Sequence, residues 1–483
     1  MSPALAWLIV ARAYVVEIVR ARWLWALFIV CMLSSLATVL RSHHAYLDAA
    51  DRYALELQDR QRLRLLPVVP SGRAVEPVLR VLRPPNRVSV LVAGVERIMP
   101  AGWDFGPSGV QTLPPYPSQI SLVSLDVLTD GESVIRLFGG LLGLALGFWL
   151  VTTDLQRGWL AGGLSSPVPP WWPLSALMFS GTLVLAVLAL IWTLVLSMFA
   201  SWLLGPNQEL GFAFSSTWFF VWMYLVTMFG IGGAVARMTP TLLGGAAMVA
   251  SVWTVIILMG PQLLSAAVFL AGDLLPRARF EYERRETYAD RRRVNEESLA
   301  RRLMAAAPDA SSKSALDAAA AQAFPAFEPD WIRKQSEARA EAAALTRAWL
   351  DNQARWLGRL QSMSRLTPGT LLQTSLATSN GQGWEIQRWW EYRVHQHEAA
   401  LNEALFDDRP VVDLRLYWRG DPFISGFTRH RPLSLTELPS FDESLGASIR
   451  NRVTHRADVA AAMMQLMIAL SVAALYPARP AQH

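Results

Sequence analysis

The stretch PLSALMFSGTLVLAVLALIWTLVLSMFASWLL, residues 173–204, contains no Asp, Glu, Lys or Arg, and its flanks extend that absence from Gly158 to Gln208. A charge at the centre of a bilayer costs about 2.5–3.5 kcal/mol on insertion scales, and about 20 apolar residues suffice for a helix to cross. Runs this long are hard to accommodate in a soluble protein, which must show water a polar surface. The same absence of charge recurs over Leu210–Ala236 and Met238–Gly272. The chain therefore reads as a polytopic α-helical membrane protein, in keeping with 52% hydrophobic residues and 20 tryptophans among 483 residues.

Dividing the apolar stretches by crossing length gives six transmembrane helices, at residues 23–40, 137–153, 173–204, 212–236, 241–264 and 459–478. The second is the shortest, with 17 uncharged residues between Arg136 and Asp154, and its Gly139, Gly140, Gly143 and Gly147 suit close helix packing. Residues 1–22 are apolar apart from Arg12, Glu17, Arg20 and Arg22, and read as an interfacial helix. A signal peptide fits less well, because no small-residue cleavage site follows. Trp171, Trp172, Trp202 and Trp218 fall near span ends, where amphipathic rings sit at the headgroups. No charged residue lies in the middle of a span, which argues against an ion-coupled secondary transporter and against a membrane-embedded enzyme.

Short-loop charge sets the orientation. With the N-terminus cytoplasmic, the inside segments carry Arg12, Arg20, Arg22, Arg157, Arg237 and Arg479, while the short outside loop Ser201–Gly211 carries only Glu209. Both termini are then cytoplasmic, and two extracytoplasmic segments, residues 41–136 and 265–456, lie outside; the reverse topology would place both in the cytoplasm. The single cysteine, Cys31, lies in the first span, so neither outside segment holds an internal disulfide. The net charge of +5 is almost all arginine, interleaved with acids as in RARFEYERRETYADRRRVNEE (277–297), the pattern of a solvated helix face and not of a nucleic-acid surface.

In the first outside segment, residues 45–66 continue the first span as a helix, and a Pro- and Gly-rich stretch from 67 to 117 follows, with β-type pieces at Arg87–Val92 and Ile120–Leu128, an α+β or irregular element. The second is a large, mostly helical domain. Its pattern gives a long charged helix Arg277–Met304, a turn at Ala307-Pro308-Asp309, a second long helix Pro329–Met363, a short helix Gly369–Thr378 capped by Thr367, and a helix Trp384–Phe406. Strand-like pieces follow over 407–441. His43-His44 and His395-x-His397 lack the i, i+4 spacing that turns two histidines to one face of a helix, so no metal or other cofactor is expected.

Between the second and third spans lies TTDLQRGWLAGGLSSPVPPWW, Thr152–Trp172, a polar interruption read as a cytoplasmic loop holding a surface helix that Pro167 ends. The chain has no GxxxxGK[ST] phosphate loop, and neither Lys313 nor Lys334 follows the required glycines. Energy from ATP would have to arrive through a partner, and this loop is where a partner could press.

Asp154, Gly158-Trp159-Leu160, Leu164-Ser165 and Pro167-Val168 resemble the first cytoplasmic loop of type-2 ABC exporter permeases, with Trp159 in place of the usual threonine and Gly163 in place of a leucine. Glu17, Arg20 and Arg22 before the first span match that family's N-terminal helix. Leu366-Thr367-Pro368, the helix 384–406 and Leu438-Pro439-Ser440-Phe441 are similar to a bacterial subfamily related to gliding-motility and copper-processing permeases, which carries a large outside insert between the fifth and sixth spans. The resemblance implies a transport subunit of the bacterial inner membrane that is not itself an enzyme. Two such chains, a second permease copy or a sister permease, would join two ABC ATPase subunits. It also implies that Asp154, Arg157, Gly158, Leu160, Leu164, Ser165 and Pro167, within the loop 154–172, form the ATPase-coupling surface; the size of the outside domain 265–456 suggests hand-over to an envelope partner. The alternative from another class is a membrane-anchored scaffold or sensor whose outside domain binds protein. An anchor needs one or two spans, and six with glycine-lined faces exceed that need.

Overall fold

The computed structural model describes residues 3–65, 79–92, 100–106, 109–113, 131–157, 171–205, 208–239, 241–270, 277–380, 383–402, 415–418, 421–424, 441 and 456–475. Helix α1 (Pro3–Arg20) breaks at Ala21 and is followed by α2 (Arg22–Leu65), 44 residues long, so the first span and the helix expected after it are one rod. Then come β1 (Leu79–Leu82), β2 (Gly102–Gly106) and β3 (Gly109–Thr112), and the apolar helices α3 (Gly131–Gln156), α4 (Trp171–Leu204), α5 (Gln208–Met238) and α6 (residues 242–270). Next are α7 (Arg277–Ala305), α8 (Lys313–Ser364), α9 (Pro368–Ser379), α10 (Trp384–Asn402), the hairpin β4 (Arg415–Trp418) and β5 (Asp421–Ile424), and α11 (Arg456–Leu475). Five helices among the described residues are long and apolar enough to cross a membrane: parts of α2, α3, α4, α5 and α6; α11 carries a shorter apolar stretch. The chain is a helical membrane protein.

The core of the bundle is α3 against α5, and glycine makes it. A Cβ on Gly147 would stand 2.0 Å from the Phe229 carbonyl oxygen, one on Gly143 would stand 2.7 Å from that of Leu225, and one on Gly232 would stand 2.1 Å from that of Leu144. The two backbones therefore touch, which gives dispersion contact where lipid offers no hydrophobic drive between helices. Around this pair, α4 and α11 also pack on α5. Span-to-span hydrogen bonds add specificity in a medium without competing water: Trp192 Nε1 donates to Ser35 Oγ at 3.0 Å, and Trp218 Nε1 to the Ala186 carbonyl at 3.2 Å.

Helix α3 differs from the expected second span, residues 137–153. It begins a turn and a half earlier and ends later, taking in Glu132, Arg136 and Asp154, with a π-helical segment at Ile135–Gly139. The wider π turn offsets the carbonyl ladder. Two side chains take the displaced acceptors: Tyr224 Oη donates to the Arg136 carbonyl and Trp253 Nε1 to that of Leu137. Arg136 itself donates to Gln373 Oε1 of α9 at 2.9 Å, so its charge reaches out of the bundle.

The hairpin of α7 and α8 departs from expectation more clearly. The turn expected at Ala307-Pro308-Asp309 is present, but helix α8 then runs 52 residues straight through Pro325 and Pro329, where the helix was expected to start only at Pro329. An interior proline costs about 3 kcal/mol. Here Leu316, Ala320, Phe324 and Trp331 are buried against Leu299, Ala300 and Leu303 of α7 on both sides of the prolines, and that packing holds the helix together. Further along, Phe280 stacks on Trp349 with ring centroids 4.8 Å apart.

The segment Arg87–Val90 is a 3-10 helix and not the expected strand, because the Asn86 side chain accepts the Val88 N–H and closes a turn. The sheet forms instead from β1, β2 and β3, in that order and antiparallel throughout, with Val81 opposite Trp103 and Phe105 opposite Val110. Those four residues pack on Trp390, Val394 and Leu401 of α10, and Trp103 stacks on Trp390 at 5.6 Å. At the sheet edge, Glu398 Oε1 accepts the Val110 N–H at 3.2 Å while buried Arg284 of α7 donates to the Val110 carbonyl, so two side chains stand in for a missing strand. Burial pushes the Glu398 carboxyl up, but the hydrogen bond from His395 and the charge of Arg284 outweigh it and hold it below the usual range.

The two glycine environments give opposite expectations. Gly147→Ala should destabilise the protein by about 3 kcal/mol or prevent folding, since backbone must move. Gly358→Ala, in α8 with nothing within 4 Å of the added carbon, should stabilise it by about 1 kcal/mol. Melting temperatures in detergent check both; equal effects would contradict backbone contact at Gly147.

Candidate functional site

Of the seven loop residues singled out by sequence, Asp154 and Arg157 are placed by the last turn of α3, whereas Gly158, Leu160, Leu164, Ser165 and Pro167 lie outside the described residues. Helix α3 ends with the Arg157 N–H bonded to the Thr153 carbonyl. Asp154 and Arg157 are three residues apart, so they share one face of the helix, and that face meets α1.

Two rungs join the helices. Tyr14 Oη donates to Asp154 Oδ1 at 2.7 Å, in a site where Asp154 is 3% and Tyr14 2% exposed. One turn on, Glu17 Oε1 lies 2.6 Å from Arg157 Nη1, with the arginine side chain about half exposed. Tyr14 and Glu17 are also three apart, so the spacing on α1 matches that on α3. The second carboxylate oxygen of Asp154, Oδ2, is buried and takes no hydrogen bond from the described residues.

Helix α1 is held on its other side by α4. Trp7 Nε1 donates to Ser175 Oγ at 3.0 Å, the Trp7 and Phe179 rings lie 5.1 Å apart, and the Ser180 hydroxyl lies 2.8 Å from the Ala11 carbonyl oxygen. The contact stripe is Trp7, Ala11, Tyr14 and Ile18, of which the last three are buried. This stripe is visible in the sequence as a 4-3-4 spacing, but the charged residues Arg12, Glu17 and Arg20 lie off it and hide it. Tyr14 is the residue that sequence reasoning missed. The signal that points to it is the acid Asp154 at the end of 17 uncharged residues, which needs a donor close by.

The histidines serve local roles. His395 Nδ1 lies 2.8 Å from Glu398 Oε2, and the His397 ring is edge-on to Phe105 and Phe441, so the two do not converge. Among the described residues, no group of three or more His, Cys, Asp and Glu could hold a metal ion. No family model matches the chain, and no curated protein or solved structure matches it either.

The described part of the arrangement is a pair of side-chain rungs packed between two helices. What it can do is mechanical: the ends of α1 and α3 at the loop are joined by a buried hydrogen bond and a partly exposed ion pair, with a buried acceptor left over.

Tyr14→Phe should leave the Asp154 carboxylate buried without its donor and cost about 1–3 kcal/mol. In a double-mutant cycle with Asp154→Asn, measured by thermal unfolding, the two losses should fall short of additivity. Additive losses would show that the rung is not formed. Breaking Glu17–Arg157 should cost less than about 1 kcal/mol and less still in high salt, because the arginine is half in water.

Proposed function

We propose that the chain is the membrane-spanning permease subunit of an ATP-driven ABC exporter, working with a separate ATPase subunit and a second permease, identical or a sister chain. The observation that carries the reading is the pair of rungs from α1 to the end of α3, directly before the loop 158–170 that resembles an ATPase-coupling segment. Force applied to that loop reaches α3 through its last turn and α1 through Tyr14 and Glu17. From α3 it reaches α5 through backbone contact, with little side-chain slack to absorb it.

The missing phosphate loop supports a division of labour in which another chain binds ATP. Six spans are part of the proposal, α11 being the sixth. So are an inner-membrane location with both termini cytoplasmic and the α7–α8 domain outside. The unclaimed Asp154 Oδ2 gives the partner, or the loop itself, an acceptor to engage. A second reading, a membrane-anchored scaffold, is favoured by one observation: α8, at 52 residues and about 78 Å, is long enough to serve as a docking arm by itself.

Co-expression of the chain with a candidate ABC ATPase separates the readings. Replacing residues 158–168 by a Gly-Ser linker should abolish co-purification of the ATPase, and Arg157→Glu should lower turnover of the assembled complex at least fivefold. Co-purification and turnover unchanged by both variants would sink the permease reading and leave the scaffold.

A further inference from the structure

Helix α1 has two faces. The inner one carries the contacts to α3 and α4. On the opposite side Leu5, Leu8, Ile9, Val16 and Val19 recur at helical steps and are all exposed, Leu8 at 56% and Ile9 at 52%. Arg12 stands in the middle of this outer face, Arg20 and Arg22 stand at its far end, and all three are exposed. Five exposed aliphatic side chains on one face of a helix mark a surface that something covers.

Charge says what covers it. Glu17, the one acid in α1, is already taken by Arg157 at 2.6 Å. Arg12, Arg20 and Arg22 have no ion-pair partner among the described residues, so three positive charges on and beside the face are uncompensated. A second copy of the chain docked here about a twofold axis would set arginine against arginine, which disfavours it. A surface that is apolar beneath and negative at its edge satisfies both parts of the face. Position agrees: α1 meets the apolar rod α2 at a corner that Trp25 closes, its Nε1 donating to the Val19 carbonyl at 2.8 Å. An indole at the end of a span sits at headgroup level, which puts the outer face of α1 there too.

We propose that the outer face of α1 docks on an anionic phospholipid surface. The aliphatic side chains enter the acyl region, and the three guanidinium groups hold headgroup phosphates with paired N–H donors. Arg12 reaches that level along its methylene stem. A zwitterionic headgroup offers the same phosphate but cancels its charge, so a net negative headgroup binds better. Tyr14 and Glu17, which join α1 to α3, then stand on a helix that lipid holds in place from the other side. This surface is independent of the permease reading.

The test uses the full-length chain, one per nanodisc, in phosphatidylcholine and in an equal mixture of phosphatidylcholine and phosphatidylglycerol. Hydrogen exchange of residues 3–20 should be about threefold slower in the mixed discs at low salt, the difference should shrink at high salt, and exchange of α7 should be the same in both lipids. The triple variant Arg12→Gln, Arg20→Gln, Arg22→Gln should exchange equally in the two lipids; if it does not fold, Arg12→Gln alone should at least halve the difference. Equal exchange of the wild type in both lipids, or a lipid effect that the variant keeps in full, would overturn the proposal. So would protection seen only in discs that hold two chains, which would assign the face to a second copy.

Discussion

Everything in the bundle depends on two backbones touching. Gly143, Gly147 and Gly232 let α3 and α5 approach until a carbonyl of one fills the space a side chain of the other would need. Such contact fixes register as well as distance, because a shift of one residue would put a Cβ into a carbonyl. Helix α3 is therefore a rod held in one position along its length. The candidate site, Asp154 with Arg157, sits at one of its ends.

That geometry explains how a span can hold charged residues. Glu132, Arg136 and Asp154 lie within Gly131–Gln156. None is left at the bilayer centre, and two have partners brought by other elements: Gln373 for Arg136 and Tyr14 for Asp154. The cost of charge near a membrane is met by hydrogen bonds and not by avoidance. The same logic places α1, whose Trp7 and Ala11 meet α4 while Tyr14 and Glu17 reach α3.

Much of the architecture was legible because bilayer thickness and the absence of charge are coarse constraints. Five apolar helices long enough to cross, the rod from residue 45 onward and the Thr367 cap of α9 all follow from the pattern. What escaped was decided by particular contacts. The helix that holds the second span, 137–153, extends past it at both ends because a rule that counts uncharged residues stops at Arg136 and Asp154, which the fold absorbs. Arg87–Val90 has strand composition, but the Asn86 side chain wins locally. Helix α8 passes two prolines because burial of Phe324 and Trp331 against α7 outweighs their local cost. At the candidate site, Asp154 and Arg157 could be picked out from the loop, but Tyr14, about 140 residues away in sequence, carries no local signal beyond a 4-3-4 stripe.

The central claim is that α1 and the loop end of α3 form one body through which a partner's force enters the bundle. Electron–electron double resonance on the chain in complex with the proposed partner ATPase tests it directly, with spin labels at the exposed positions Arg12 and Gln156, and in a second sample at Gln156 and Leu243 of α6. On ATP binding, the account predicts an unchanged Arg12–Gln156 distance and a shifted Gln156–Leu243 distance. A changed distance in the first pair with a constant one in the second would contradict it.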